Sequence, residues 1–480
     1  MKKWIALLLA MTLMCAMGVP AMAEEDGLKF LIQAGFYDLD SDIGWEVCQR
    51  VAGRKIDYEV LNGTEQLMLI VSSGQPYDFI YLTKENYDLM MGEEALMDIG
   101  PLLDEYGPEI KASFQTLWPA VTGENGEIWA IPSAIQFAGA LEDSILVRKD
   151  LLDAAGIAMP TNLDEFYDML VAVKAAYPDK IPLTVPNDLK VGGYFINNIA
   201  SAFNLVDLWQ DIDGKLVPMV NNPALEEYLA FVAKLYQEGL IDAEMPALSN
   251  SDARSKWSSG QAVMIYTKWQ GTETPVGALR SLEPKMEYDV LPLMPDATGK
   301  VHGRMEYGLF AYGAIPVTCE RPEETIAVIN NQIKEESFTE IVLGVEGTHF
   351  EYDENGNYKL IQPAFNEEKN NSNVFVNGFL REDIYPKMWE TRLTKNADLE
   401  WIFKTYKASL QDAGVKDPTA LAPAVTVVGN KVALDTYVKD NLTAIVAGTK
   451  SLGDLEAVRA YWSANGGKEV EEFYNNWYSK

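Results

Sequence analysis

Histidine and cysteine are scarce in this chain, since its 480 residues include only two histidines and three cysteines. So few of these side chains leave little room for zinc clusters, Cys–His dyads or Ser-His-Asp triads. Basic residues are also in the minority, since 39 Lys and Arg stand against 71 Asp and Glu, for a formal charge of −32. A field this negative repels phosphate backbones and anionic headgroups, so we expect no nucleic-acid partner and no acidic membrane surface.

Signatures of nucleotide-binding proteins and common hydrolases are missing as well: G-x-x-x-x-G-K-[ST], G-x-S-x-G, H-E-x-x-H and the Rossmann glycine pattern. Residues 38–42 (DLDSD) resemble the start of a calcium loop, but Ile43 and Gln49 stand where an EF-hand needs glycine and an acid. We therefore expect no catalytic residues, no cofactor and no metal, and a structural calcium stays open as the weaker alternative for this loop and for the turn at 353–357. A glycosidase stays open as an alternative, because it needs only two carboxylates.

Long apolar runs are confined to the start of the chain. A charged beginning, an apolar run over 5–17 and an A-x-A sequence at 21–23 predict an export signal in 1–23, cleaved before Glu24. Cys15 raises the option of a lipid anchor, but bulky residues precede it where lipoprotein signals have small ones, so simple cleavage is favoured. Export permits a disulfide between the other two cysteines, although two isolated core thiols are the favoured interpretation.

A short apolar strand followed by a loop and an amphipathic helix recurs along the rest of the chain. Strands predicted at 28–33, 56–60 and 77–81 alternate with helices at 43–52 and 67–72, which is typical of parallel α/β units. Further strands are predicted at 128–131, 143–147, 262–267 and 308–316, and further helices from 149, from 163, at 223–237 and at 322–333. The last hundred residues are mostly helical and end in an aromatic stripe that we interpret as a core seal, formed by Phe473, Tyr474, Trp477 and Tyr478.

Several short segments follow one another in an order and spacing that are specific only when taken together. They are SGQPYDFI at 73–80, LMDI at 96–99, GEIWAIP at 126–132, VRKDLL at 147–152, EGLID at 238–242, WSSGQAVM at 257–264 and AIP at 314–316. With this set the chain resembles the extracellular solute-binding proteins of carbohydrate-type ABC importers, the maltose-binding-protein-like family 1, over nearly all of its mature length. GVEGTHF at 344–350 and NNWY at 475–478 resemble a branch that handles larger or modified saccharides.

The resemblance implies an α/β, two-lobed periplasmic-binding-protein-like fold of type II, with hinge crossovers and a helix-rich C-terminal part. It implies a first lobe formed by 24–134 and 306–360, and a second formed by 135–305 and 361–480. The lobes would close over a ligand at the hinge. The implied function is the secreted, non-enzymatic binding component of an ABC transporter. It would act as a monomer and deliver an oligosaccharide, a related polyol or a uronate-free glycan to the permease subunits.

A sugar presents its C–H faces to aromatic rings and its hydroxyl edges to planar polar side chains. The resemblance places Trp269 and Tyr81 directly after or at the end of strands that reach the cleft, as stacking candidates. It places the other ligand candidates in loops and near the hinge: Phe36, Tyr37, Gln136, Phe137, Tyr194, Gln270, Arg304, Glu306 and Tyr307. Three other tryptophans are assigned to packing, namely Trp118, Trp129 and Trp209.

Two alternative functions stay open. A secreted carbohydrate-active enzyme would release product from a glycan, whereas a binding protein would not. The same fold could also bind a peptide or act as a sensor subunit. The scarcity of basic residues argues against strongly anionic ligands.

Overall fold

The computed structural model describes residues 26–33, 43–135, 139–189, 192–369, 379–410, 412–429 and 431–480. The strands in these ranges are β1 Leu28–Gln33, β2 Ile56–Leu61, β3 Phe79–Leu82, β4 Ile131–Ala134, β5 Asp143–Val147, β6 Ile181–Thr184, β7 Trp209–Ile212, β8 Lys215–Pro218, β9 Ala262–Lys268, β10 Asp289–Val290, β11 Gly303–Met305, β12 Leu309–Ala314, β13 Phe350–Tyr352, β14 Tyr358–Leu360 and β15 Gly414–Lys416. The export signal expected in 1–23 lies outside the described residues.

Eighteen α-helices in the same ranges account for most of the remaining regular structure. They are α1 Ile43–Ala52, α2 Thr64–Ser73, α3 Lys84–Gly92, α4 Gly100–Tyr106, α5 Pro108–Ser113, α6 Lys149–Ala155, α7 Leu163–Ala176, α8 Asn197–Ala200, α9 Leu225–Gln237, α10 Asn250–Ser258, α11 Glu273–Leu282, α12 Pro322–Ile333, α13 Glu335–Leu343, α14 Tyr385–Leu393, α15 Ala397–Ala408, α16 Lys431–Val446, α17 Leu455–Trp462 and α18 Lys468–Tyr478.

The first sheet has five strands in the order β2-β1-β3-β12-β4. β1 pairs in parallel with β2 and β3, while β12 runs antiparallel to β3 and β4. The parallel pairs arise because each apolar strand is followed by a helix that returns the chain to the same edge of the sheet. Helices cover both faces and bury two hydrophobic clusters there. A strand from far along the chain, β12, completes this sheet.

The second sheet has four strands in the order β10-β5-β9-β6. β9 runs parallel to β6 and antiparallel to β5. One face packs against α7, α9 and α16, and the other against α10, α11 and α15, so each face has its own core. The chain therefore has the α/β architecture, with two sheets, that the sequence predicts.

Two segments of the described chain run from one sheet to the other: one joins β4 to β5, and one joins β10 to β12 and includes β11. They lie side by side, since the Gly139 N–H donates to the Glu306 carbonyl (3.0 Å) and the Glu306 N–H donates to the Ala140 carbonyl (3.1 Å). Such paired connections at the boundary between two bodies are where a hinge motion is absorbed.

Helix α14 lies at the junction of the two cores. Tyr385 and Met388 belong to the core of the first sheet, although residues 361–480 were expected in the second lobe. Leu393 belongs to the core of the second sheet, and Trp389 packs against both. A single boundary between the lobes at residue 360 therefore does not describe α14. The apolar side chains near its start lie in one core, and those near its end lie in the other.

Local signals in the sequence predict several element boundaries correctly. β1, β5, α1 and α12 have the predicted bounds. Asn162 caps α7 by accepting a hydrogen bond from the Glu165 N–H (2.9 Å). The strand predicted at 128–131 was placed three residues too early, since β4 begins at Ile131. Ile128 bonds outside the sheet instead, because its carbonyl accepts a hydrogen bond from the Ile99 N–H (2.8 Å).

The predictions for the cysteines and the C-terminal stripe have different outcomes. Cys48 and Cys319 are both buried, as expected, and no disulfide joins them. In the stripe, Tyr474 is buried, but Tyr478 is 40% exposed, so only part of it seals a core. None of the helices in the described ranges has both the length and the apolar composition that crossing a membrane requires.

Candidate functional site

The two aromatic residues expected to stack on a ligand are buried in separate cores. Trp269 has no exposed surface and lies in the core of the second sheet, where its ring meets that of Phe403 edge-on at 4.9 Å. Tyr81 is 2% exposed and lies in the core of the first sheet. Stacking on a sugar requires an open ring face, and neither ring has one in this structure, so we expect both side chains to act in packing.

Trp389 connects these two buried residues across the junction. Its ring centroid lies 6.0 Å from that of Trp269 and 6.0 Å from that of Tyr385. Burial raises the pKa of Tyr81, and the nearby hydroxyl of Tyr385 raises it further, which places these two tyrosines close together. We call this line of residues the aromatic seam: Tyr81, Tyr385, Trp389, Trp269 and Phe403. Trp389 differs from the others in the seam because it is partly exposed.

Buried polar atoms without a partner in the described part of the chain occur on α14 and at the turn between β9 and α11, two segments that meet where the Trp389 ring packs against that of Trp269. They are the Trp389 Nε1, the Tyr385 Oη, the Gln270 Oε1 and the Glu273 Oε2. A buried polar atom that makes no hydrogen bond costs about 1–3 kcal/mol, so native proteins rarely keep such atoms together without a use for them. One N–H donor, one hydroxyl and two oxygen acceptors are what a hydroxyl-rich ligand needs, because each hydroxyl both donates and accepts.

The turn after β9 holds the polar residues of this site next to the seam. The Thr272 hydroxyl donates to the Trp269 carbonyl at 2.7 Å, which folds the chain back before α11 begins at Glu273. Arg254 fixes the same turn by donating to the Gln270 carbonyl at 2.5 Å. Gln270, a candidate from the sequence, therefore lies beside the seam.

Two basic residues modify the electrostatics near Glu273. Burial lowers the pKa of Lys395, and the nearby Arg392 lowers it further, to about 8, while Glu273 opposes the change. Arg392 is 2% exposed and donates to the carbonyls of Val342 and Lys369. A cation whose pKa is lowered in the folded state costs stability at neutral pH.

Replacing Lys395 by methionine is expected to stabilise the protein at pH 7 by roughly 2 kcal/mol, because the variant no longer buries a charge. The folded-state pKa of Lys395 is about 8, below its ordinary value of 10.5, so the wild type gains stability between those two pH values. The advantage of the variant should therefore shrink as the pH rises from 8 to 10.5. Urea unfolding at pH 7 and pH 10 measures it, with exposed Lys387→Met as the control. An equal difference at both pH values would contradict the prediction.

The hinge candidates Arg304 and Glu306 form part of a buried ion cluster. Arg304 is 2% exposed, and its Nη2 lies 3.0 Å from a Glu142 oxygen, 3.3 Å from an Asp143 oxygen and 3.5 Å from a Glu306 oxygen. Its Nε lies 4.0 Å from Asp207. These residues hold the two crossovers together, and their burial places them away from an open ligand surface.

Two carboxylates of this hinge cluster, Glu142 and Asp143, have opposite pKa shifts. Burial alone would raise the pKa of Glu142, but Lys268 and Arg304 lower it to about 2. Burial raises the pKa of Asp143, and the charge of Glu142 adds to that effect, although Arg304 opposes it. Tyr266 donates a hydrogen bond to Asp143. In the described ranges no group of His, Cys, Asp and Glu side chains has the arrangement of a metal site.

The remaining candidates from the sequence do not meet at the seam. Tyr194 is 2% exposed and borders a cavity of about 350 Å³ next to Trp209 and α16. Tyr307 is partly exposed, and the Lys416 Nζ lies 4.0 Å from the centre of its ring. Four further candidates lie outside the described residues: Phe36, Tyr37, Gln136 and Phe137.

Sequence reasoning missed Tyr385, Trp389 and Glu273. The signal for the first two was the spacing in YPKMW at 385–389, because aromatic residues four apart lie on one face of a helix. Glu273 carried no comparable signal, since one acid among 71 is not distinctive.

Comparison with known proteins places this chain in a family. The sequence profile of the family described as bacterial extracellular solute-binding protein matches residues 48–336. Lipoprotein LipO of Bacillus subtilis (strain 168) is 20% identical over 99% of this chain and 98% of its own. The fructooligosaccharide ABC transporter substrate-binding protein FusA of Streptococcus pneumoniae serotype 4 (strain ATCC BAA-334 / TIGR4) is 26% identical over 53% of this chain and 50% of its own.

Solved structures share the whole fold. The S. pneumoniae FusA EF-hand mutant in complex with fructo-nystose has a TM-score of 0.71 at 18% identity, covering 95% of this chain and 99% of that one. The alginate-binding protein AlgQ2 without calcium ion has a TM-score of 0.69 at 18% identity, with coverages of 95% and 99%. The architecture is thus the two-lobed type II periplasmic-binding-protein fold. Since the family profile matches more than half of its length, the chain belongs to the bacterial extracellular solute-binding proteins.

Proposed function

We propose that this protein is the substrate-binding component of an ABC importer, and that it captures an oligosaccharide between its lobes and delivers it unaltered to the permease. The relatives support this assignment by what their names record, since FusA is a fructooligosaccharide substrate-binding protein and AlgQ2 binds alginate. The proposal includes export by the signal in 1–23, cleavage before Glu24 and action as a monomer.

The observation that carries the proposal is the set of unpartnered polar atoms on α14 and in the turn after β9, two segments joined by the contact between Trp389 and Trp269. The Trp389 ring supplies a face for the C–H surface of a sugar. The Trp389 Nε1 and the Tyr385 Oη supply donors, and the Gln270 Oε1 supplies an acceptor, all of them without a partner in the described ranges. A ligand with several hydroxyls satisfies donors and acceptors together, whereas an apolar ligand would leave them unpaired.

The position of these groups couples binding to closure of the lobes. Tyr385 belongs to the core of the first sheet, while Gln270 follows a strand of the second. A ligand that contacts both is bound more tightly when the lobes are closed, and so shifts the equilibrium towards the closed state. In this proposal residues 24–134 and 306–360 form one lobe and most of the remainder forms the other, with α14 between them.

A thermal-shift screen of the mature protein against mono- and oligosaccharides tests the proposed ligand class. We expect at least one oligosaccharide to raise the melting temperature, because a ligand at 100 times its dissociation constant stabilises the folded state by about 2.7 kcal/mol. A shift produced by peptides and by no saccharide would contradict the proposal.

The same screen separates binding from turnover. Each saccharide that shifts the melting temperature is incubated with the protein and examined by chromatography for shorter products. We expect the saccharide to be recovered intact, as transport requires. Repeated release of product by each protein molecule would instead favour a glycosidase that uses two carboxylates.

A further inference from the structure

The hinge cluster contains more acids than bases. Among the described residues, four carboxyl groups and two cations are linked there by contacts of 4.0 Å or less: Glu142, Asp143, Asp207 and Glu306 with Arg304 and Lys268. Each of these side chains except that of Lys268 is at most 11% exposed. If all four acids were ionised, the cluster would hold two negative charges without a cation, and burying such charges is costly. A proton bound in the cluster removes part of that cost.

A hydrogen bond between two of the acids indicates where that proton lies. Burial would raise the pKa of Glu142, but the cations Lys268 and Arg304 lower it to about 2. A hydrogen bond between the side chains of Glu142 and Glu306 acts in the same direction. Two carboxyl groups can share a hydrogen bond only when one of them holds a proton. Because two cations contact Glu142, it is the acid that stays ionised, and Glu306 carries the proton.

This hydrogen bond joins the two crossovers, the segments that connect β4 to β5 and β10 to β12. Glu142 ends the first of them, directly before β5, and Glu306 lies in the second, between β11 and β12. The backbones pair at the same place, since the Glu306 N–H donates to the Ala140 carbonyl and the Glu306 carbonyl accepts from Gly139. A hinge motion changes the backbone torsions of such segments and therefore the separation of the groups that they carry. Two carboxyl groups that share one proton resist this motion, whereas two carboxylates repel each other.

Asp143 is the other acid of the cluster that has distinct hydrogen-bond partners. Its Oδ1 accepts from the side-chain amide of Asn197 on α8 at 2.6 Å and from the hydroxyl of Tyr266 on β9. Protonation of Asp143 therefore leaves the hydrogen bond between Glu142 and Glu306 in place. The titratable and charged groups that face this pair or its partners are Asp143, Asp207, Arg304, Lys268, Tyr266, Tyr406 of α15 and, 4.0 Å from the ring of Tyr307, Lys416 of β15.

We propose that the proton shared by Glu142 and Glu306 is a latch on the hinge. When it is bound, the carboxyl pair holds the two crossovers in the arrangement of this structure, and when it is lost, two adjacent carboxylates repel each other and release the hinge. The arrangement of this structure thus binds one proton more than an arrangement in which the pair is separated. Its population therefore falls as the pH rises, and the ratio of the two arrangements changes by up to about tenfold per pH unit, the limit for one proton.

The distance between two spin labels, one on each side of the hinge, measures the two arrangements in the ligand-free protein. The labels attach to cysteines introduced by Leu69→Cys on α2 and Leu282→Cys on α11, because these side chains are 67% and 66% exposed. The native Cys48 and Cys319 are buried and so are protected from the label. Between pH 5 and pH 9 we expect the population with the label distance of this structure to shrink, with the ratio changing at least about threefold per pH unit where the change is steepest. No saccharide is added, so the result does not depend on the ligand class proposed above.

Glu306→Gln is the test variant, because its amide N–H donates to Glu142 at every pH. We expect this variant to keep the arrangement of this structure over the whole pH range. Glu340→Gln is the matched control, since Glu340 of α13 pairs with Arg50 of α1 at 2.5 Å and should leave the pH dependence unchanged.

Three outcomes would overturn the proposal. The first is a wild type whose two populations do not change with pH, a result that needs no variant and stands even if Glu306→Gln does not fold. The second is a Glu306→Gln variant that changes with pH as the wild type does, which would assign the proton to another group such as Asp143. The third is loss of the pH dependence in Glu340→Gln.

Discussion

Replacing Trp389 by alanine is expected to weaken binding of the transported saccharide by about 2–4 kcal/mol, or roughly 30- to 700-fold, as loss of a central tryptophan does at many binding sites. The reason is that the variant loses both the ring face and the Nε1 donor, which is buried and has no partner among the described residues. Isothermal titration with a saccharide from the thermal-shift screen measures the change.

Two variants control for general damage to the fold. Trp401→Ala removes a tryptophan that is 40% exposed on the next helix and meets Tyr288 rather than the seam, so it should bind like the wild type. Trp389→Phe keeps a ring but loses the Nε1 donor, so its affinity should fall between those of the wild type and the alanine variant. Unchanged affinity in Trp389→Ala would remove Trp389 from the binding site.

Replacing Trp269 by alanine is expected to lower the free energy of unfolding by about 3–5 kcal/mol, because deletion of a fully buried aromatic ring leaves a cavity. Trp269 has no exposed surface, and its ring packs edge-on against Phe403 and Trp389. Urea unfolding of the ligand-free protein measures this loss. Trp269→Ala should therefore lose stability even without ligand, whereas Trp389→Ala should mainly lose affinity for the saccharide.

Trp257→Ala provides the comparison for this second prediction. Trp257 is 1% exposed and belongs to the same core as Trp269, but it does not lie in the aromatic seam. Both variants should therefore lose similar amounts of stability. If Trp269→Ala kept its ligand-free stability and lost saccharide binding alone, Trp269 would be a ligand platform, as its position after β9 first indicated.

The family and the fold class were accessible from the sequence because they depend on local order. Strand β1 is an apolar run, and α7 begins at an Asn162 cap and continues with apolar residues at helical spacing. Short segments such as 126–132 and 257–264 then give the order of the elements. Each of these signals lies within a few residues, so no knowledge of distant contacts is needed to detect it.

The ligand site was less accessible, because similar residues have different surroundings in the folded chain. Trp269 and Trp389 are both tryptophans next to apolar elements, and nothing in the residues beside them shows which is covered. Trp269 is covered by Phe403 of α15, more than a hundred residues away, and Trp389 is left partly exposed. The boundary between the lobes was equally hard to predict from neighbouring residues, since α14 packs into both cores.

What the sequence alone determined about this protein is its class: strands and helices in α/β order and the solute-binding family. The tertiary structure alone decided which aromatic residues keep an open face, which polar atoms are left without partners in the described ranges, and that Arg304 belongs to a hinge cluster. The physical reason is that periodicity and caps act between neighbours along the chain, whereas exposure and pairing depend on the packing of elements that are far apart in it.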